Sequence, residues 1–174
     1  MNHLTSKSLF NFKSISLSLL SIGIMASSTS VLAATKLLTQ PAISKDKIAF
    51  VYAGDLWVSN KDGSSPKQLT TSTANEQNPH FSPDGKWIAY TANHDNNNDV
   101  YLVSANGGQP KRLTWHPDSD DVNGWSPDGQ KILFTSRREM RQGRSAQAWE
   151  VSVDGGYPTK VMEAVVQSAS WSND

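Results

Sequence analysis

The sequence predicts an all-β fold: a partial β-propeller of about three four-stranded blades plus the first strand of a fourth, placed after a signal peptide. Three observations carry this. The turn Ser82-Pro83-Asp84-Gly85 returns as Ser126-Pro127-Asp128-Gly129. A second turn appears three times, as Asp62-Gly63, Asn106-Gly107-Gly108 and Asp154-Gly155-Gly156. Short alternating strands fill the spaces between these turns in a fixed order, with a period of about 38 to 48 residues, the range of four-stranded propeller blades. Proline presets φ for the second position of a β-turn, aspartate bonds nearby N–H groups, and glycine accepts positive φ, so each recurrence marks a chain reversal.

The elements follow in order. Residues 1–33 read as a secretory signal peptide. Lys7 and Lys13 give a positive start with no acid, residues 15–26 an apolar stretch, and residues 27–33 a small-residue segment ending Val31-Leu32-Ala33. The apolar run is short of the roughly 20 residues a membrane span needs, so no stable span is expected after cleavage. With no Cys in the chain, a lipid-anchored start, disulfides and thiolate metal sites are all excluded. Removal of the two lysines leaves 14 basic against 16 acidic residues, a slightly acidic exported chain, expected in the periplasm of a Gram-negative source.

The remainder, residues 34–174, is expected to be one incomplete propeller. A first blade spans about residues 40–70, where Ser44-Lys45-Asp46-Lys47 is a worn copy of the Ser-Pro-Asp-Gly turn. It follows the leader so closely that no domain is expected in front. A second blade covers about 77–114. In it Trp87, Ala89 and Thr91 share one face of a strand and Ile88 and Tyr90 the other, followed by a polar loop over 93–98, the strand Asp99-Val100-Tyr101-Leu102-Val103, and a last strand Lys111-Arg112-Leu113-Thr114. A third covers about 121–162. A fourth repeat is expected to start over 165–174, with Val165-Val166 in its first strand. Blades bury their faces against neighbours, so this stretch is expected to be the N-terminal piece of a longer protein. The six Trp residues sit mostly at matching repeat positions, and their default role is packing.

Chemistry is sparse. The net charge is zero and there is no basic stripe, so nucleic acid is not an expected partner. His80, His94 and His116 lack metal-ligand spacing. The run Asp95-Asn96-Asn97-Asn98-Asp99 has oxygen ligands at alternate positions, but Val100 and Asn106 stand where a calcium loop needs Gly and Glu. No serine lies in a Gly-x-Ser-x-Gly elbow. Asp118, Asp120 and Asp121 cluster in one link and read as an exposed acidic connection rather than an acid/base pair. The best binding candidate is the insertion carrying Arg137, Arg138, Arg141 and Arg144, four guanidinium groups in eight residues. It suits a peptide carboxylate or acidic partner; the alternative is a solvated hairpin loop. No catalytic residue, metal or cofactor is expected.

The decamer Phe81-Ser82-Pro83-Asp84-Gly85-Lys86-Trp87-Ile88-Ala89-Tyr90 resembles the repeat of TolB and tricorn-type propellers. Arg112-Leu113-Thr114-Trp115-His116-Pro117 and Val122-Asn123-Gly124-Trp125, which leads into Ser126, turn the resemblance toward the N-terminal propeller of tricorn proteases. Such proteins carry further domains, a PDZ module and a serine peptidase. The resemblance therefore implies a non-catalytic propeller that filters or channels peptides for an exported protease, with peptides or proteins as partners and a homo-oligomeric parent allowed. A TolB-like periplasmic scaffold, or the propeller of another exported hydrolase such as an amidohydrolase or a prolyl-oligopeptidase-like enzyme, are the alternatives.

Overall fold

The computed structural model describes residues 37–140 and 145–172. The leader assigned to residues 1–33 lies outside them. Among the described residues, twelve strands form three antiparallel sheets of four, each strand beside its sequence neighbour. Blade one holds β1 (Thr39–Ile43), β2 (Lys47–Tyr52), β3 (Asp55–Asn60) and β4 (Lys67–Gln68). Blade two holds β5 (Asn75–Phe81), β6 (Trp87–His94), β7 (Asn97–Ser104) and β8 (Lys111–Arg112). Blade three holds β9 (Asp120–Trp125), β10 (Lys131–Ser136), β11 (Ala146–Ser152) and β12 (Thr159–Val166). The first strands lie in a row, β1 against β5 and β5 against β9. This is the stacked-blade arrangement of a partial, unclosed propeller.

The turns are built as their residues dictate. Ser82 Oγ donates to Asp84 Oδ1 (2.6 Å) and accepts from Trp87 N (3.0 Å), while Asp84 Oδ1 also accepts from Lys86 N (3.0 Å). Ser126, Asp128, Gln130 and Lys131 repeat these bonds at 2.6, 3.0 and 2.9 Å. Gly85 and Gly129 take φ of 70° and 71°, which a Cβ would strain. The worn turn of blade one is shorter: Ser44 Oγ caps Lys47 N (2.9 Å) three residues on instead of five.

The polar loop expected over 93–98 is tighter than its composition implied. β6 and β7 pair down to His94 opposite Asn97, leaving only Asp95 and Asn96 as the reversal, both at positive φ (53° and 63°). Ala53 and Gly54 (61° and 94°) do the same between β2 and β3. Two central residues at positive φ match the right-handed twist of the flanking strands.

The recurring Leu-Thr pair has a structural reason. After the two-residue β4, Leu69 N bonds Leu56 O (2.8 Å) and Thr70 Oγ1 accepts from Leu56 N (2.8 Å). Leu113 N on Val100 O (2.8 Å) and Thr114 Oγ1 under Val100 N (2.9 Å) repeat it in blade two. A hydroxyl thus replaces a carbonyl as the last rung, and the chain leaves for the next blade. Blade three has Met162 at that point, and after a register shift between Trp149 and Gln147 the strand goes on pairing: Val165 opposite Gln147 and Val166 opposite Ala146. The two valines expected to open a fourth repeat are therefore the end of β12.

Each blade boundary has an apolar middle. Ile88, Tyr90, Ala92 and Val103 pack against Ala49, Leu56, Val58 and Leu69 of blade one. Ala89, Val100, Leu102 and Leu113 pack against Val122, Ile132, Phe134 and Trp149 of blade three. Alternation along β6 and β7 sends successive side chains to opposite neighbours, so both faces of blade two are buried. The packing role assigned to tryptophan holds for Trp125 and Trp149, which are buried, but Trp87, Trp115 and Trp171 are exposed.

Polar bonds cross the boundaries at both ends. At one end Glu76 accepts from Thr70 Oγ1 and Ser72 Oγ (both 2.8 Å), and Thr91 Oγ1 accepts from Val122 N (2.9 Å). At the other, Lys67 Nζ donates to Asn106 O, and Lys111 Nζ to Val153 O (3.1 Å) and Asp154 O (2.7 Å). The last strand of each of these two blades thus ties down the glycine turn of the next.

Candidate functional site

In a meander of this kind the β2–β3, β6–β7 and β10–β11 connections share one end of the blades with the links between sheets. Arg137 and Arg138, the described arginines of the insertion, follow β10 at this end, where blades one and two have only a two-residue reversal. Arg141 and Arg144 fall outside the described residues. The two arginines that are described part company at once.

Arg138 turns inward. Its side chain is 10% exposed, and Nη2 lies 2.7 Å from Oδ2 of Asp120, which is fully buried. Nε donates to Ser136 Oγ (3.1 Å). The guanidinium carbon sits 5.1 Å from the Phe134 ring centroid and 4.9 Å from that of Trp149. Planar delocalised charge suits such stacking, so this cation is committed to the protein itself. Arg137 stays exposed and lines a groove of about 390 Å³ with Asp121, Thr135, Ser145, Ala146 and Val166.

The acidic link takes three environments rather than one exposed face. Asp118 is exposed, and its N–H donates to His116 Nδ1 (3.1 Å). Asp120 is the interior partner of Arg138. Asp121 accepts from Asn98 Nδ2 (2.7 Å), and Asn98 Oδ1 accepts from Asn93 (2.6 Å), giving a chain of amides across blades two and three. In the Asp95–Asp99 run, Asp99 is turned inside, 2.6 Å from Arg112 Nη2, and Asn97 donates to His116 O (2.8 Å). These oxygens serve the blade instead of converging on one point.

Burial governs the titration of the interior acids. It pushes Asp99 above the usual carboxylate range, with Arg112 opposing. It raises Glu76 likewise, against the hydrogen bonds from Ser72 and Thr70. Burial also lowers His80, whose carbonyl accepts from Trp125 Nε1 (2.9 Å). His94 lies beside the Tyr101 ring (5.6 Å) and His116 caps its own link. These partners orient the two imidazoles as structural groups. What this end offers a ligand is a cationic edge at Arg137, a carboxylate at Asp121, and hydroxyls between them.

Comparison with known proteins agrees with the blade geometry. The family model for the tricorn protease N-terminal beta propeller domain matches residues 35–174. The crystal structure of the tricorn protease superposes with a TM-score of 0.65 at 26% identity, over 72% of this chain and 13% of that one. TolB from Acinetobacter baumannii gives 0.58 at 26% identity, over 72% and 32%. A putative tricorn protease homolog from Streptomyces coelicolor is 42% identical over 53 residues, 30% of this chain and 4% of the homolog. The chain thus spans a minor part of the length of each of these proteins. With its three meander blades and the matched span, it belongs to the tricorn protease N-terminal β-propeller domain family.

Proposed function

We propose that this chain is the N-terminal propeller portion of an exported tricorn-like serine protease, with a part in filtering or channelling peptides and no catalysis of its own. The observation that carries the reading is the family match over residues 35–174, coincident with three blades whose interior acids Glu76, Asp99 and Asp120 are each bonded to groups of the blades themselves. Export rests on the leader composition of residues 1–33, which directs the product to the periplasm of a Gram-negative cell. Arg137, with Arg141 and Arg144, supplies the cations that would meet a peptide carboxylate, while Arg138 holds the base of their loop.

The test is the reading frame beyond codon 174. Continuation into further blades, a PDZ-like segment and a serine peptidase domain is the expected result, together with no peptide hydrolysis by residues 34–174 alone. A frame leading to another hydrolase domain, or serine-inhibitor-sensitive hydrolysis by the piece itself, overturns the reading. Similarity to TolB favours a second reading, a periplasmic protein-binding scaffold. That reading expects the frame to end after the propeller and the exported chain to co-purify with envelope proteins.

A further inference from the structure

The repeats allow one boundary to be compared with the next, atom by atom, at the end that carries the glycine turns. β2, β6 and β10 begin with Lys47, Trp87 and Lys131, which stand opposite Asn60, Ser104 and Ser152. At the boundary of blades one and two, Lys47 Nζ reaches across to Ala105 O (3.1 Å) and Asn106 Oδ1 (2.6 Å). The space left beside it is about 160 Å³. At the boundary of blades two and three the same position is Trp87, and the residue matching Asn106 is Asp154. The space there is about 600 Å³, lined by Trp87, Leu102, Lys111, Asp128, Val153 and Asp154.

Three changes coincide in the second groove. The internal cation is gone, replaced by an indole that is 45% exposed. The acceptor that this cation used has changed from a neutral amide to a carboxylate. Lys111 does not compensate, because its Nζ is held by the main-chain oxygens of Val153 and Asp154, as Lys67 is by Asn106 O. Asp128 adds charge at the rim: its Oδ1 is engaged in its own turn, and hydrogen bonding holds the carboxyl below the usual range, so it is ionised at neutral pH. Asp84 also lines the groove and is paired with Lys86 (3.3 Å).

We propose that this groove binds a lysine or arginine side chain of a peptide or protein segment. The cation takes the place that Lys47 Nζ fills one blade earlier, between the Trp87 indole and the Asp154 carboxylate. A cation over an aromatic face is attracted by the ring quadrupole, and the carboxylate adds charge complementarity that salt screens. The apolar floor of Leu102 and Val153 receives the aliphatic stem. A peptide is favoured over a free amine because the space extends well past one side chain. The assignment depends on blade geometry alone and stands whatever the activity of any larger protein.

The experiment is calorimetric titration of the chain with acetyl-Gly-Arg-Gly-amide and with its neutral citrulline analogue. Saturable binding of the arginine peptide is expected, weakened about tenfold for citrulline and weakened further as salt rises. Trp87→Lys installs the residue of blades one and three and should fill the groove from within, abolishing binding. Asp154→Asn installs the residue of blade two and should weaken binding about tenfold. Both residues are already tolerated at these positions in a neighbouring blade, and an unchanged melting midpoint checks folding. Equal affinity for citrulline, wild-type binding by either folded variant, or no heat with millimolar arginine peptide overturns the proposal.

Discussion

Replacing Arg138 with methionine separates structural work from ligand binding in the arginine insertion. Methionine keeps the stem and removes the cation. Asp120 is fully buried, one of its oxygens is 2.7 Å from Arg138 Nη2, and the other has no hydrogen-bond partner. The carboxylate therefore has nothing to fall back on. Removing one member of a buried pair costs about 3–5 kcal/mol, and loss of two ring contacts adds about 0.5–1 kcal/mol each. Against a domain stability of about 5–15 kcal/mol, Arg138→Met is expected to remove a large share of the total. Arg137→Met, at an exposed position, should stay within about 0.5 kcal/mol of wild type. Urea unfolding followed by near-UV circular dichroism measures both, with the slope reporting whether the unfolded state has changed. Asp120→Asn removes the stranded charge, so the double variant should regain much of the loss, giving a coupling above about 2 kcal/mol. A loss under about 1 kcal/mol for Arg138→Met, with additive behaviour in the double variant, would refute the internal role of this arginine.

Other outcomes follow from single contacts. Thr91→Val is nearly isosteric but strands the buried Val122 N–H, and should cost about 1–3 kcal/mol by the same unfolding assay. Gly107→Ala forces φ of 91° on a residue with a Cβ and brings that carbon to 2.8 Å from Lys67 Nζ. The backbone term alone is about 1–2 kcal/mol, read as a lower melting temperature. For Glu76 the folded-state pKa is raised, so the native state holds its proton to higher pH than the unfolded chain does. The contribution of Glu76 is then fully present below its unfolded pKa of about 4.3 and fades as pH rises through the folded value. Glu76→Gln should therefore gain stability relative to wild type between acidic and neutral pH, measured by urea midpoints across that range.

The turns within the blades were legible in the sequence because reversals demand special residues: Pro83, Gly85, Gly107 and Gly129 announce a reversal whatever surrounds them. The wear in the first blade was legible too, though not that the turn would shorten onto Lys47. What failed to show were features set by distant partners. Asp95 and Asn96 looked like the middle of a loop, because polar residues at positive φ carry no hydrophobic pattern. Val165 and Val166 have strand character in either blade, and their pairing with Gln147 and Ala146, past the point where blades one and two have Thr70 and Thr114, shows only in the structure. Arg138 belongs by composition with Arg137, yet Asp120, on the adjacent strand β9 and opposite Ser136, draws it inside. The groove at Trp87 becomes visible in the sequence once strand starts are aligned, as the one aromatic in the series Lys47, Trp87, Lys131.

The lysine ties have a direction. Lys67 reaches into blade two and Lys111 into blade three, each from the end of one repeat to a turn made later in the chain. Until its successor has closed its own glycine turn, a finished blade therefore has this lysine bonded to water alone. An error in a late turn thus removes a bond from the blade before it. A substitution at Gly107 or Gly155 should for this reason expose amides in the preceding sheet to hydrogen exchange, sending the damage upstream.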